Sequence, residues 1–415
     1  MSSTNKNRVA VIGAGPGGLS AAVCLHRLGF DVTVFERWPE LKPVGGGIAL
    51  WPPPLKALEL MGIDITELGA PADPSFVRPD GRLVAAYPTK AATEIDTPLW
   101  LGAMRASLYE GLRAQLPADV IQAGKRCVKV EQNGQEAIAH FDDGTEYRGE
   151  LIIGADGLHS VVRYHLEPAA PPRDNKLTVW LGHTWADLPD RTPAKMGLDP
   201  RGYQGSYTPM RAKGRDGWHW WLMEPRESTS TLETGEEAKS RIAKLAAGFA
   251  EPLPTLIRET PTENIVPWVI KDRPPLKSWV DGRITVLGDA AHATNPYAGY
   301  GAGMAVVDGF YLACSLAGVD ISDHTALTAV LADYEAERKP ETDAVAAFAY
   351  KMGQLMHTRN PIKRVVRDVL LDRTPFMRKQ LEKQYGDTLT EAYRTVVRLG
   401  SRLPKTPRAG TKAVS

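Results

Sequence analysis

The sequence predicts an α/β protein in which a parallel sheet is combined with a second, sheet-rich domain and a set of C-terminal helices. Three observations lead to this prediction. Residues 8–36 read as strand, glycine-rich turn, helix and strand, which is a βαβ unit. Between residues 167 and 270, prolines and glycines are frequent, tryptophans cluster and strand-like runs dominate. Residues 303–318 and 327–401 follow mostly helical patterns.

The first 166 residues alternate between strand and helix patterns. Runs of β-branched residues predict strands, Ala- and Leu-rich runs predict helices, and the prolines at 52–54 suit only the start of a helix. Turns are expected at Asn133-Gly134 and Asp143-Gly144. The predicted strands are 8–12, 31–35, alternating segments within 126–150, and 151–153; the predicted helices are 19–28, 55–61 and 104–115.

After the sheet-rich region, residues 283–288 again form an apolar, β-branched run typical of a buried strand, like the run at the N-terminus. The first domain is therefore predicted to be discontinuous, with the second domain inserted into it. The predicted ranges are 1–75, 98–166 and 271–360 for the first domain, 76–97 and 167–270 for the sheet-rich domain, 361–403 for the C-terminal helices and 404–415 for a disordered tail.

Composition excludes several classes of protein. Lys and Arg number 50 and Asp and Glu number 49, so the net charge of +1 gives no basis for binding nucleic acid. The three cysteines are far apart, which predicts no metal site and no disulfide framework and fits a reducing compartment. Without a signal-peptide pattern or a long apolar run, we expect a cytoplasmic protein with no membrane span.

The loop after the first strand carries the pattern G-x-G-x-x-G in residues 13–18. Here a strand precedes the glycines, a helix follows them, and Glu36 closes the next strand, as in dinucleotide-binding βαβ units. Gly13 permits a tight turn, Gly15 lets a pyrophosphate approach the backbone, and Gly18 lets the helix pack on the strand. The motif predicts a Rossmann-like domain, but it does not distinguish FAD from NAD.

Two later segments are more specific. Residues 154–163 fit the pattern G-A-D-G-x-x-S-x-x-R, and residues 283–292 form a buried strand that runs into G-D-A-A-H. Pro296, Gly299 and Gly301 follow, before another helix. With these motifs in this order, the chain resembles the aromatic-ring flavoprotein monooxygenases, the family of p-hydroxybenzoate and salicylate hydroxylases. The resemblance extends over residues 8–340, about four-fifths of the chain.

The resemblance implies a non-covalently bound FAD in a discontinuous Rossmann-like FAD-binding domain. Asp289 matches the aspartate that binds the ribityl chain, and Arg105 matches the arginine on the ribityl-phosphate side. Asp156 matches an aspartate that is implicated in both FAD and NAD(P)H binding. The implied cofactor-binding residues are Gly13, Gly15, Gly17, Gly18, Glu36, Arg37, Arg105, Asp156, Asp289, Pro296, Gly299 and Gly301.

The same resemblance implies the reaction. NADH or NADPH would reduce the flavin transiently, and O2 would then give a flavin C4a-hydroperoxide that hydroxylates an aromatic or heteroaromatic small molecule. No second nucleotide loop is evident in the sequence, so the nicotinamide would bind without a Rossmann domain of its own. We expect a monomer or a homodimer.

The sheet-rich domain is expected to bind the substrate. Strand alternation in residues 217–221 puts Trp218 and Trp220 on one face and His219 and Trp221 on the other. His219 is a candidate general base, although packing between the domains explains the aromatic run equally well. The candidate lining residues are Tyr203, Tyr207, His219, Trp220, Trp221 and Met223.

Two departures from the family pattern bear on the substrate. Tyr300 stands before the second glycine of the flavin loop, and the prolines at 52–54 replace the usual stretch; both segments are expected to border the active site. His292 is interpreted as a structural histidine beside that loop.

Three alternatives remain open. A flavin-dependent halogenase would carry W-x-W-x-I-P, of which only Trp218 and Trp220 are present. A reductase, an epoxidase or a decarboxylating hydroxylase of the same superfamily is a second, and a non-catalytic FAD-binding protein is a third.

Overall fold

The computed structural model describes residues 7–41, 46–87, 94–168, 171–188, 193–226 and 232–404, apart from the side chains of Ala298, Gln384, Tyr385 and Asp387. Residues 405–415 of the predicted tail lie outside this range. The strands are β1 (Arg8–Ile12), β2 (Asp31–Glu36), β3 (Gly47–Leu50), β4 (Gly69–Pro71), β5 (Asp73–Val77), β6 (Leu83–Ala86), β7 (Leu101–Met104), β8 (Ile121–Ala123), β9 (Cys127–Gln132), β10 (Ala137–Phe141), β11 (Glu146–Gly149), β12 (Leu151–Gly154), β13 (Arg173–Thr184), β14 (Pro193–Leu198), β15 (Gln204–Ala212), β16 (Arg215–Pro225), β17 (Ile265–Asp272), β18 (Val280–Asp281) and β19 (Ile284–Val286). The helices are α1 (Pro16–Arg27), α2 (Pro52–Leu60), α3 (Ile65–Leu68), α4 (Arg105–Arg113), α5 (Val161–Leu166), α6 (Gly235–Ala246), α7 (Leu253–Glu259), α8 (Asp289–His292), α9 (Gly301–Ser315), α10 (His324–Met356), α11 (Pro361–Arg373), α12 (Phe376–Tyr385) and α13 (Asp387–Gly400).

The first sheet has the strand order β18–β19–β12–β1–β2–β8. Its strands are parallel except for β18, and Ile12, Gly154 and Val286 lie side by side at the carboxyl ends of β1, β12 and β19. The residues that follow these three strands, which carry the three sequence motifs, are therefore neighbours at one edge. This arrangement confirms the predicted Rossmann-like sheet.

The second, larger sheet has the order β17–β13–β16–β15–β14–β5–β6, and β7 joins it through β15. β3 and β4 pair with β7. β3, β4 and β7 thus belong to the larger sheet, although they fall inside ranges 1–75 and 98–166 that were predicted for the first domain. The proposed domain division stays a prediction.

Both faces of the larger sheet are covered. One face carries Trp180, Trp218 and Trp220 and packs on helices α6 and α7 through apolar residues such as Ile242 and Leu256. The two helices lie within the range that was predicted to be sheet-rich. Their apolar spacing, with Ala238, Ile242 and Ala246 four residues apart, is a helical signal that the strand-like neighbours masked. The other face carries His219, which Gly47 approaches closely, and Met223, whose cluster Tyr297 packs against.

The C-terminal helices α10–α13 confirm the predicted helical segment. α13 packs on α2 and α9, while residues of α10, α11 and α12 join a cluster with the aromatic side chains of Trp51, Trp100 and Tyr300. Helix α9 packs closely on α1. A Cβ atom on Gly309 would lie only 2.3 Å from the carbonyl oxygen of Gly17, so this close approach requires glycine. The fold class predicted from the sequence is thereby confirmed.

Candidate active site

The glycine-rich loop has the geometry that its motif predicts. Gly13 has a φ of +107°, which favours glycine, and a Cβ atom there would lie 2.4 Å from the carbonyl oxygen of Ala155. A Cβ atom on Gly18 would lie 2.1 Å from the carbonyl oxygen of Gly13. Gly15, the N-cap of α1, faces open space. The loop therefore leaves the N-terminus of α1 accessible to an anion.

Glu36 lies at the end of β2 beside this loop. Its carboxylate accepts hydrogen bonds from the amide of Ala14 at 2.9 Å and from the amide of Trp38 at 3.0 Å. The next residue, Arg37, is exposed, and its guanidinium lies 5.5 Å from the centre of the Trp38 ring. The acidic residue is thus anchored at the position where a ribose bound to this loop would lie.

Arg105 and Asp289 form the charged part of the site. Arg105 begins α4 directly after β7, and Asp289 begins α8 directly after the loop that follows β19. Burial lowers the pKa of Arg105, and the charge of Asp289 acts in the opposite direction, so the two groups lie close enough to interact. Asp289 is exposed, and no hydrogen bond joins either side chain to the described part of the chain. Both groups are available to a ligand.

Asp156 has a different environment. Its carboxylate accepts hydrogen bonds from Ser160 Oγ at 2.5 Å and from the amide of Val161 at 2.6 Å, at the start of α5. Burial raises its pKa, which these hydrogen bonds counteract. Arg163 on the same helix donates from Nη1 to the carbonyl oxygen of Ala291 at 2.7 Å. This motif therefore fixes α5 against α8, and its carboxylate is already occupied.

A buried ionic cluster contacts both ends of α8. His292 Nε2 lies 2.5 Å from Asp308 Oδ2, and Arg338 Nε donates to Asp308 Oδ1 at 2.9 Å. Burial alone would raise the pKa of Asp308, but the charges of His292 and Arg338 keep it below its usual value. The amide of Gly288 also donates to this carboxylate, at 3.0 Å. The structural interpretation of His292 agrees with this geometry.

The segment from Pro296 to Gly301 connects α8 to α9. Pro296 begins a short turn that ends at Gly299, whose φ is +57°, and Gly301 begins α9. Trp51 Nε1 donates to the carbonyl oxygen of Gly299 at 2.7 Å. Residue Trp51 directly precedes the prolines at 52–54, so the two segments that depart from the family pattern meet here.

The inward face of the larger sheet lies opposite. Trp221 stacks on His219 with ring centres 5.6 Å apart, and together with Tyr297 it packs against a small apolar cluster that contains Met223. The Tyr297 hydroxyl lies 2.8 Å from His357 Nε2. Trp221 and Tyr297 are only partly buried. They are therefore aromatic surfaces that a flat ligand could contact.

The other candidate lining residues lie elsewhere. Tyr207 and Trp220 are on the opposite face, in the cluster with α6 and α7, and Tyr203 packs against that same cluster. Trp220 Nε1 donates to Thr260 Oγ1 at 2.8 Å. The predicted alternation is therefore confirmed, but it separates the six candidates into two groups, and only His219, Trp221 and Met223 face inward.

His219 is tightly enclosed. Its Nδ1 lies 3.0 Å from the carbonyl oxygen of Gly182 and 3.2 Å from the amide nitrogen of Gly47. Burial lowers its pKa to about 4, so the ring is neutral near pH 7. The charge of Arg105 contributes to the lowering, which shows that this ring and Arg105 are neighbours. This contact brings the inward face of the larger sheet close to the charged part of the site.

Comparison with known proteins identifies the family. The model of the FAD binding domain family matches residues 6–349, most of the chain. The protein belongs to this family of FAD-dependent monooxygenases. The aurachin C monooxygenase/isomerase of Stigmatella aurantiaca is 30% identical to it over 371 residues, covering 88% of this chain and 93% of the relative. The 6-hydroxynicotinate 3-monooxygenase of Bordetella bronchiseptica is 29% identical over 355 residues, covering 82% and 91%.

Solved structures of hydroxylases have folds similar to this chain. The structure of Klebsiella pneumoniae HpxO complexed with FAD and uric acid matches with a TM-score of 0.80 and 25% identity, covering 94% of this chain and 97% of that one. A salicylate hydroxylase substrate complex has the same fold, with a TM-score of 0.70 and 22% identity. The halogenase alternative is not favoured, because relatives such as these are hydroxylases.

The described residues of this monooxygenase fit FAD. The open face at Gly15 is suited to a pyrophosphate, and the exposed carboxylate of Asp289 is suited to the hydroxyls of a ribityl chain. The partly buried guanidinium of Arg105 has no hydrogen-bond partner among the described residues and suits an anionic or carbonyl acceptor. No described helix is long and apolar enough to cross a membrane.

Sequence reasoning missed a buried aromatic cluster that adjoins the segment from Pro296 to Gly301. Trp51 and Trp100 have ring centres 4.8 Å apart, and Trp100 Nε1 donates to Thr208 Oγ1 at 3.0 Å. Tyr87 lies 5.2 Å from Trp51. These residues come from separate loops and strands, and nothing in their local sequence indicates that they meet. For Trp51 alone, the adjacent prolines were a usable signal.

Proposed function

We propose that this monooxygenase hydroxylates an aromatic or heteroaromatic small molecule, with FAD as its cofactor, NADH or NADPH as reductant and O2 as co-substrate. One observation carries the proposal: Arg105, which interacts with Asp289, is also a neighbour of His219, on which the partly buried ring of Trp221 stacks. A ring bound between Trp221 and Arg105 would be held against the flavin edge. When bound, FAD would supply the redox chemistry, including the activation of O2.

The proposed cofactor-binding residues would contact different parts of FAD. Backbone amides at the start of α1, near Gly15, would hold the pyrophosphate, and Glu36 would accept from the adenosine ribose. Asp289 would accept from the ribityl hydroxyls, while Arg105 would donate. Asp156 would act indirectly, by fixing α5, because its carboxylate is already hydrogen-bonded.

The start of α9 would stabilise negative charge on the reduced flavin. Gly301 opens this helix of 15 residues, and its first turn contains no acidic residue. Such a terminus presents free amides and the positive end of the helix dipole. Pro296, Gly299 and Gly301 would bring this backbone close to the flavin ring, which their positions before α9 support.

The substrate would contact His219, Trp221 and Met223 from the larger sheet, and Tyr297 from the flavin loop. Tyr203, Tyr207 and Trp220 are left out of this proposed pocket, because they pack toward α6 and α7. The relatives support a flat substrate with ring heteroatoms or polar substituents, since they are named for 6-hydroxynicotinate, urate and 3-amino-4-hydroxybenzoate.

A cluster of cations supports the use of a nicotinamide dinucleotide. Burial lowers the pKa of His159, and the charges of Lys271, Arg273 and Arg37 lower it further, so these groups face one region. His159 and Lys271 are exposed. The cluster lies beside the motif at Asp156, at the edge of the FAD site. It would attract the pyrophosphate of NADH or NADPH.

The test is anaerobic stopped-flow absorbance of the purified, FAD-loaded protein. The protein is mixed with NADH or NADPH and a panel of phenols, hydroxypyridines, purines and quinolines, and bleaching of the flavin is followed. We expect aromatic-stimulated reduction, then formation of hydroxylated product when O2 is admitted. Flavin that neither nicotinamide reduces with any ligand would contradict the proposal and favour a non-catalytic FAD-binding protein.

A matched pair of variants tests the nicotinamide site. Lys271→Ala is expected to raise the KM for the nicotinamide about tenfold, because a charge-assisted contact to phosphate is lost, and to leave FAD binding unchanged. Lys351→Ala, which removes an exposed lysine of α10, serves as the control. Equal KM values for both variants would remove Lys271 from this site.

A further inference from the structure

Helix α11 presents an apolar stripe to the solvent. Its members are β-branched and largely exposed: Ile362 at 74%, Val365 at 64%, Val366 at 54% and Val369 at 50%. Spacings of three and four residues place them on one face of the helix. On the opposite face, Arg367 and Leu371 are buried against the protein. The helix therefore has an outward apolar face that no other described part of the chain covers.

Positive charge is concentrated around the stripe. Residues 359–383 contain eight Lys or Arg and three Asp or Glu, a net charge of +5 in a chain whose total is +1. Two of the acids, Asp368 and Asp372, pair with the buried guanidinium of Arg78 at 3.2 and 2.7 Å. Lys363 and Arg373, which lie beside the stripe, are exposed. The surface is thus apolar at its centre and basic at its margins.

These features do not suit self-association. The four side chains expose apolar area on the order of 400 Å², about half of what each partner buries in a stable dimer. In a two-fold dimer the same patch meets itself, so the exposed cations beside the stripe, Lys363 and Arg373, would be brought toward their own copies. An anionic surface, in contrast, complements this charge, and a layer of acyl chains complements the stripe.

We propose that the outward face of α11 docks the protein on a phospholipid bilayer that contains anionic lipids. The stripe would lie in the plane of the interface, with Ile362, Val365, Val366 and Val369 at the boundary between headgroups and acyl chains. Lys363 and Arg373 would contact lipid phosphates. Binding of this kind is peripheral and reversible, and it requires no spanning helix.

Vesicle sedimentation tests the proposal with the full-length, FAD-loaded protein. Vesicles of phosphatidylcholine alone are compared with vesicles containing about one third phosphatidylglycerol, at low and high salt. We expect binding to the anionic vesicles that weakens at high salt. Val365→Glu combined with Val369→Glu is expected to lower the partition coefficient at least about tenfold, and Lys363→Glu several-fold.

The control is Val128→Glu, which charges an equally exposed valine, at 49%, on strand β9. Flavin absorbance and circular dichroism verify that each variant is folded. Failure to bind anionic vesicles, or equal binding by the Val128 and the α11 variants, overturns the proposal. So does a dimer in light scattering that the α11 variants dissociate, because the stripe would then bind a second copy of the chain.

Discussion

Asp289 and Arg105 differ from the other charged residues of the site because their side chains make no hydrogen bond to the described residues. Glu36, Asp156 and Asp308 already accept hydrogen bonds from the protein, whereas these two side chains have none to the described residues. An exposed carboxylate at the start of a helix, with no hydrogen bond to the described residues, can accept hydrogen bonds from a ligand. This difference is consistent with the proposed role of the pair in holding the cofactor.

Asp289→Asn tests this at the residue scale. The change keeps the shape of the side chain but removes its charge, so hydrogen bonds to flavin hydroxyls weaken. We expect the Kd for FAD to rise about tenfold to a hundredfold, measured by fluorescence quenching of added FAD. Asp142→Asn, at an exposed position before a hairpin turn, is the matched control and is expected to leave the Kd unchanged.

His219 carries a different expectation. Its ring is enclosed by the backbone of Gly47 and Gly182, and burial lowers its pKa to about 4. We expect His219→Asn to lower the free energy of unfolding by about 1–3 kcal/mol and to leave the pH profile of turnover unchanged. Loss of one limb of that profile, with FAD still bound, would instead establish the general-base role that the sequence suggested.

At the scale of elements, strand β3 depends on its contact with the larger sheet. A Cβ atom on Gly47 would lie 2.4 Å from Cγ of His219. This ring is buried and therefore cannot move aside to make room. We expect Gly47→Ala to lower the free energy of unfolding by about 1–3 kcal/mol and to weaken FAD binding, since β3 adjoins Arg105.

Gly111→Ala is the matched control for this prediction. The new methyl group would lie 3.4 Å from Ile63, which is an ordinary contact, and alanine favours the surrounding helix α4. Its stability, measured by denaturant unfolding, is expected to equal or exceed that of the parent. A Gly47 variant with the same stability as this control would show that β3 can shift without cost.

The elements with local signals were predictable. The hairpins between β9, β10 and β11 follow from their Asn133-Gly134 and Asp143-Gly144 turns, and α2 begins at Pro52 as expected. The site motifs were predictable as well, because each ends a strand of one parallel sheet. Tertiary pairing was not: β3 and β7 carry no signal that assigns them to one sheet rather than the other.

Side-chain direction in the larger sheet was predictable only in part. The alternation of Trp218, His219, Trp220 and Trp221 follows from strand geometry. Both faces of this sheet are buried, one under α6 and α7 and the other toward the FAD-binding part, so hydrophobicity does not reveal which face meets the site. The prediction of six lining residues mixed the two faces for this reason.

At the scale of the whole molecule, buried histidines make stability depend on pH. Burial lowers the pKa of His219 and of His357 to about 4, while the unfolded chain has values near 6.5. Between these values the unfolded state binds more protons. The stabilisation is therefore complete above about pH 6.5 and is lost as the pH falls toward 4, by up to about 3 kcal/mol for each histidine.

Denaturant unfolding at pH 7, 6 and 5 measures this loss. We expect His357→Gln to be less stable than the parent at pH 7 but to show a shallower decline with acidification, because one of the two groups no longer titrates. His324→Gln, at an exposed position in the first turn of α10, is expected to keep the slope of the parent. Identical slopes for all three proteins would contradict the assignment.

The interleaved course of the chain has a consequence for synthesis on the ribosome. Strand β12 ends at Gly154, but its neighbour β19 begins at Ile284, and the whole larger sheet except its first strands lies between them. During translation this edge of β12 therefore stays unpaired while about 130 further residues are synthesised. The nascent chain cannot complete the first sheet before strands β13–β17 of the larger sheet have emerged, so we expect chaperones to bind the growing chain over this interval.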